Sequence, residues 1–350
     1  MSDGIRCMIM RGGTSKGVFF VEADLPSDEP ARDQLLMQVM GTPDPRQIDG
    51  VGGAHPLTSK VAIVSLPDDD EVDVEYLFLQ VGVDDAFVTD RQNCGNLLSA
   101  VGPFAVERGL ITVSDGEATT RIRMRNTGGV AVAHFQVGDG APVYDGDASI
   151  SGVPGTGSPI AIDFLDIAGG STGSLLPTGN SVDEVEGTNV TMVDNGMPVV
   201  VMRADDLGVT GYESCAELEG NQPLRQRLEL IRLAAGGLMG LGDVTTTTIP
   251  KLTMVAPPKA GGSVSTRTFI PHRCHDAIGV LGAVSVATAC LLPDSPANSV
   301  ADIHSPVITL EHPTGSFDAR VEMDGGVVRR AGIVRTARKL MDGVVYPRSH

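Results

Sequence analysis

Ala277-Ile278-Gly279-Val280-Leu281-Gly282-Ala283-Val284-Ser285-Val286-Ala287-Thr288-Ala289-Cys290-Leu291-Leu292 is the longest apolar run in the chain. Its 16 residues fall short of the roughly 20 that span a bilayer. The run reads as a buried helix starting near Asp276. It is apolar on every side, so it must be wrapped on every side. In a chain with 43 glycines and many Val and Thr residues, the expected wrapper is a curled sheet.

Working outward from this helix, the chain repeats itself. Val18-Phe19-Phe20-Val21-Glu22-Ala23-Asp24-Leu25 resembles Val199-Val200-Val201-Met202-Arg203-Ala204-Asp205-Asp206-Leu207. A glycine-containing loop precedes each strand. Pro30 opens a helix that stops at Gly41, and Pro223 opens one expected to stop at Gly236-Gly237, the usual punctuation. A lysine then leads a strand in each half, Lys60 and Lys251. The partner of the 277–292 helix is expected near Cys94-Gly95-Asn96, carrying Leu97, Leu98, Val101 and Ala105. Two pseudo-symmetric halves follow, 1–182 and 183–350, with the junction near Gly179–Val182. A duplicated fold of this kind is expected to hold its site in the cleft between halves. The placement of 331–347 stays open, because this last strand could return to the first half.

The net charge is −18, which discounts nucleic acid and anionic membrane surfaces as partners. Five widely spaced cysteines without a C-x-x-C pair point to a reducing compartment, the cytoplasm. The N-terminus has no signal-peptide core.

Three stretches could carry chemistry. Arg11-Gly12-Gly13-Thr14-Ser15-Lys16-Gly17 is not a P-loop, but its cations, hydroxyls and open backbone suit a carboxylate. The alternative is a hairpin with solvated charges. Cys94 stands at an expected helix start, where the dipole and free N–H groups favour a thiolate and the N–H groups of Gly95 and Asn96 could hold an anion. The alternative is an inert buried thiol. Lys60 enters an apolar strand, where burial favours the neutral amine, a competent general base. The alternative is a solvated strand end. His272, Cys274 and His275 lie close together, but further ligands are lacking and no metal is expected; His275 is better placed to donate a hydrogen bond to substrate. No dinucleotide fingerprint, nucleophile elbow or H-E-x-x-H motif is present.

Taken together, Met10–Gly17, Ser59-Lys60, Asn93-Cys94-Gly95-Asn96, Arg125-Asn126-Thr127-Gly128 and His275-Asp276-Ala277 resemble the PrpF-type isomerases of the diaminopimelate epimerase-like fold. The resemblance covers essentially the whole chain. It implies an α+β fold with two pseudo-symmetric domains, each a curved, barrel-like, mainly antiparallel sheet around a central helix. It implies no cofactor, and it admits a homodimer. The expected substrate is a small polycarboxylate. Val209–Glu213, Gly242–Thr246 and Ile278–Ala283 are most similar to the family's 4-oxalomesaconate tautomerases, which act in bacterial breakdown of gallate- and protocatechuate-type aromatics. Methylaconitate and methylitaconate isomerases are the related alternatives.

By resemblance, Lys60 is the lead acid/base group and Cys94 sits beside the substrate. Arg11, Thr14, Ser15 and Lys16 are expected on one carboxylate and Gly95 and Asn96 on another, with Asn93, Asn126, Thr127 and His275 as further substrate contacts. The family's two-thiol epimerase relatives use facing cysteines. Here the position matched to Cys94 is Asp276, which weakens a racemase or epimerase reading. A non-catalytic carboxylate-binding protein is the other rival.

Overall fold

The computed structural model describes residues 4–91 and 93–348. The chain divides into two compact units, Met1–Leu165 with Val334–His350, and Asp166–Ile333. The first holds strands β1 (Ile5–Gly12), β2 (Ser15–Val21), β3 (Lys60–Ser65), β4 (Val74–Val81), β5 (Val88–Thr89), β6 (Gly116–Met124), β7 (Val130–Gly138), β8 (Ala141–Pro142) and β9 (Pro159–Phe164). Its helices are α1 (Glu29–Met40), α2 (Gly95–Leu98) and α3 (Val101–Glu107). The second holds β10 (Asp183–Val185), β11 (Thr188–Asp194), β12 (Pro198–Arg203), β13 (Lys251–Ala256), β14 (Val264–Phe269), β15 (Val307–His312) and β16 (Gly315–Asp324). Its helices are α4 (Cys215–Gly220), α5 (Gln222–Leu238) and α6 (Val280–Leu291). The last strand, β17 (Val327–Val345), begins in the second unit and ends in the first.

In the first unit β1, β2, β3, β4, β6, β7, β9 and β17 pair in that order, and β17 pairs back to β1. Eight strands therefore close into a barrel, which leaves no long free edge. The pairs β2–β3 and β4–β6 are parallel. Val101 to Ala105 of α3 are all buried, and Phe104 meets Phe19 of β2 with ring centroids 5.4 Å apart. A side chain on Gly102 would stand 2.6 Å from the Phe135 ring on β7, so glycine lets the helix lie against the wall.

The second unit repeats this order. The pairs β11–β12, β13–β14, β15–β16 and β16–β17 are antiparallel, and β12–β13 and β14–β15 are parallel. Helix α6 packs on β11, β12, β15 and β16 with Ala283 to Cys290 all buried. This is the sheet-wrapped helix that the apolar run demanded. The mixture of strands and segregated helices makes the fold α+β.

Four expectations change. The boundary lies after Leu165, earlier than the junction expected near Gly179–Val182, because the glycine-rich stretch 169–174 is bonded into the second unit. Gly169 N–H donates to the Asp194 carbonyl at 2.7 Å, and Asp194 Oδ2 accepts the N–H groups of Ser171 and Thr172 and the Thr172 hydroxyl. That carboxylate fastens the stretch to β11. The segment left open at the C-terminus belongs to the first unit from Val334 onward, through its pairing with β1.

The helix expected after Cys94 is two helices. Pro103 has no N–H to give the Ser99 carbonyl, so the run breaks between Leu98 and Val101. Helix α6 starts at Val280, capped by Gly279, rather than near Asp276. Helix α5 passes through Gly236 and Gly237 to Leu238 instead of stopping at them.

These two glycines differ. A Cβ on Gly236 would lie 2.5 Å from Val244, whereas one on Gly237 meets nothing within 4 Å. Gly236→Ala is expected to cost about 1–3 kcal/mol by overpacking. Gly237→Ala is expected to gain about 0.5–1 kcal/mol through reduced backbone entropy of the unfolded chain. Urea midpoints of the two variants check this, and a shared sign would refute it.

Candidate active site

The site starts with a two-residue hairpin turn, Gly13-Thr14, between Gly12 and Ser15. Gly13 has φ +51°, a conformation that favours glycine. The turn also lies against α2. A Cβ on Gly12 would be 2.5 Å from the Asn96 carbonyl oxygen, and one on Gly13 would collide with the Asn96 side chain. The glycines are thus required twice, by backbone conformation and by close approach.

The hairpin is tied down by β17. Gly13 N–H donates to the Thr336 carbonyl at 2.9 Å. Arg11 Nη1 donates to the carbonyls of Gly13 and Thr336 and to Thr336 Oγ1 at 2.9–3.0 Å. Burial, and then the charge of Arg338, push the Arg11 pKa down. Arg11, expected on a carboxylate, is therefore occupied on this nitrogen in holding the turn. Lys16 pairs with Arg11 across the hairpin and reaches the loop before β3: a Cβ on Gly53 would meet its Nζ at 3.2 Å, and Lys16 forms no ion pair among the described residues. Thr14 packs its methyl group toward Gly152.

Parallel pairing sets Gly17 beside Lys60. Alternation puts Ser15, Gly17 and Lys60 on one face of the sheet. A side chain at Gly17 would be 2.9 Å from both Leu97 of α2 and the Lys60 carbonyl, so this is the face α2 covers. Lys60 is only 7% exposed. Its Nζ donates to Gln80 Oε1 at 2.9 Å and lies 4.9 Å from the Phe78 ring centroid. No carboxylate is in ion-pair contact with it among the described residues.

Cys94 caps α2 and is 8% exposed. Its thiol lies 4.0 Å from Ser15 Oγ. Its N–H donates to Asn93 Oδ1 at 2.9 Å, and Tyr76, whose hydroxyl burial holds protonated, donates to its carbonyl at 3.4 Å. Asn96 Oδ1 accepts from Arg335 Nε at 3.2 Å. Lys60, Cys94, Ser15, Gly95, Asn96 and the hairpin are thus gathered on three strands, β1 to β3, and one short helix.

Other expected contacts have different partners. Asn126 Oδ1 accepts from Phe78 N–H, and its Nδ2 donates to the carbonyls of Phe78 and Asp90, each at 2.8–2.9 Å. That amide stitches the turn after β6 to β4 and to the end of β5, and its polar atoms are used in doing so. Asn93 Nδ2 points to Met124 Sδ. Thr127 is exposed in the turn. His275 belongs to the second unit, where its Nδ1 accepts from Ala277 N–H at 2.8 Å. Burial, and to a lesser extent Lys251, hold the His275 pKa down. The cap position matching Cys94 is Gly279 rather than Asp276, and neither is a thiol.

Three residues were missed from sequence: Gln80, Arg335 and Thr336. Gln80 is a polar residue in an apolar strand, which was the available signal. Only strand register shows that it faces Lys60. Arg335 and Thr336 gave no signal while the return of β17 was open.

The PrpF protein family matches residues 3–348. The chain belongs to that family. It is 58% identical over 348 residues to a (4E)-oxalomesaconate Delta-isomerase of Novosphingobium sp. strain KA1, covering 98% of each chain. It is 54% identical over 344 residues to a 4-oxalomesaconate tautomerase of Pseudomonas putida KT2440, covering 97% of this chain and 95% of that one. A crystal structure of a methylitaconate-delta-isomerase superposes with TM-score 0.90 at 34% identity, covering 99% of this chain and 96% of the other. A hydroxyproline epimerase from Agrobacterium vitis shares the fold at TM-score 0.53 and 12% identity, covering 98% and 93%. The PrpF family member thus has the expected epimerase-like fold.

Asn126→Ala should destabilise the first unit by about 1–3 kcal/mol, since three backbone groups lose their partner. Urea denaturation reads this. An unchanged midpoint would show that the amide is free for another role.

Proposed function

We propose that the chain is an isomerase that moves a proton on 4-oxalomesaconate without a cofactor. The two relatives above 50% identity, each covering nearly the whole chain, support the substrate. One structural observation carries the chemistry: a nearly buried lysine amine, bonded to a neutral amide and paired with no carboxylate among the described residues, on the same face as a thiol and a hydroxyl.

In this reading Lys60 is the general base that takes the proton from the carbon between the conjugating groups. The C–H electron pair moves into the conjugated system, giving a dienolate whose negative charge lies on oxygen. The proton then returns to that oxygen or to the far carbon, which distinguishes tautomerisation from allylic migration. Ser15, Thr14 and Lys16, with the N–H groups of Gly95 and Asn96, supply donors for the carboxylates and the developing charge. Arg11 serves by fixing the hairpin that presents them. Cys94 is the second proton-transfer group. A place in gallate or protocatechuate breakdown, and a cytoplasmic location, belong to the same proposal. Among the described residues no helix is long and apolar enough to cross a membrane.

Lys60→Ala should abolish turnover while the circular dichroism spectrum is retained. Full activity in the variant refutes its role. Ultraviolet absorbance with 4-oxalomesaconate, methylaconitate and methylitaconate side by side tests the substrate, and the highest kcat/KM is expected on the first. In deuterium oxide, label at a new position supports an isomerase, and exchange with inversion at one carbon supports an epimerase.

A further inference from the structure

We infer that Gln80 is the positioning residue of Lys60, holding its amine in one orientation without giving it a counter-charge. The inference rests on the proposed role of Lys60 as the base. Gln80 sits directly opposite Lys60 in the antiparallel β3–β4 pair and is 9% exposed. Its Oε1 accepts from Lys60 Nζ at 2.9 Å. Its Nε2 faces three carbonyls, Ser59 at 2.8 Å, Pro56 at 3.1 Å and Val81 at 3.3 Å. Rotating the amide by half a turn would set its oxygen against three oxygens and its NH2 against the amine. The network therefore permits one orientation, with the oxygen toward Lys60.

A second amide stiffens the support. Gln47 Nε2 donates to Ser59 Oγ at 2.8 Å and to Thr42 Oγ1 at 3.0 Å, and its Oε1 accepts from Ala54 N–H at 2.9 Å. Ser59, which precedes Lys60, is thus held by both glutamines. The Phe78 ring supports the lysine from the same strand as Gln80.

The chemistry favours an amide here. A carbonyl oxygen accepts a hydrogen bond from an ammonium or from a neutral amine, so it can hold Nζ through both halves of a proton transfer. A carboxylate would favour the ammonium and oppose the base. The ionisable groups on the surrounding elements include Lys16 on β2, His55 in the loop before β3, Glu75 and Tyr76 on β4, Asp90 and Arg91 after β5, and Cys94 before α2. None is bonded to Nζ.

The internal repeat supplies a comparison. Lys251 occupies the same register in the second unit, paired with Val199 as Lys60 is with Gly17. Continuing the β13–β14 register sets Lys251 against Ile270, which has no acceptor side chain. Burial pushes the Lys251 pKa down, and among the described residues no side chain is hydrogen-bonded to its amine. The amide is thus a feature of the lysine proposed as the base, and the fold alone does not call for it.

The test uses Gln80→Leu and Gln80→Glu in the full chain, with circular dichroism and urea midpoints alongside kinetics. Gln80→Leu should lower kcat about 10²-fold, the scale of a misplaced catalytic group, with KM within about threefold. Gln80→Glu keeps an acceptor but adds charge. Its acidic limb in the pH–kcat profile should move up by about 1–3 pH units, with activity recovered at high pH. Wild-type kcat in folded Gln80→Leu, or an unmoved limb in Gln80→Glu, overturns the inference. If Gln80→Leu fails to fold, the Gln80→Glu profile decides alone. An inactive Lys60→Ala beside fully active Gln80 variants sinks only the Gln80 inference. An active Lys60→Ala sinks the role of the base itself.

Discussion

The hairpin at Gly12-Gly13 can approach Asn96 only because neither residue has a side chain. That contact fixes α2 beneath the turn, and α2 in turn fixes Cys94 at its cap beside Ser15. Gly17 repeats the device one step along the strand, letting Leu97 settle against the pair formed with Lys60. Three small residues therefore decide where the charged and nucleophilic groups stand. The second unit uses the same construction with different chemistry. Gly196 at φ +88° meets Leu281 of α6, and Asn195 is held by Ser285 and Thr288. The scaffold is duplicated, while the cations of the first hairpin are not.

Barrel closure explains why the site can be buried and polar together. With its strand edges paired, the first unit can bury Lys60, Gln80, Ser59 and Ser15, because each finds a partner nearby. The amide groups of Gln47, Gln80 and Asn126 do most of this work. They are neutral, so they satisfy backbone groups without setting a charge beside the lysine. A carboxylate in their place would bring both a desolvation cost and an unwanted counter-ion.

Much of the site was legible. Glycine spacing marked the hairpin, and a cysteine before Gly-Asn marked a helix start. The helix proved shorter than its apolar pattern suggested because Pro103 withholds one N–H. Roles were less legible than positions. Arg11 and Asn126 look like ligands for a carboxylate, but the chain's own backbone takes up much of their bonding capacity. A polar side chain in a motif cannot announce whether it serves substrate or scaffold, since the chemistry of donation is the same.

The sequence by itself determined that an apolar helix must be wrapped, that the wrapper occurs twice, and that Lys60 and Lys251 open matching strands. Those follow from periodicity and punctuation, which are local. Tertiary structure decided three further matters. It returned β17 to the first unit, where Arg335 and Thr336 meet Asn96 and Arg11. It moved the boundary to Leu165, because a buried Asp194 binds Ser171 and Thr172 to β11. It also set Gln80 opposite Lys60 but an isoleucine in line with Lys251. Each depends on strand register or on a partner far away in the chain, and neither can be read from local sequence.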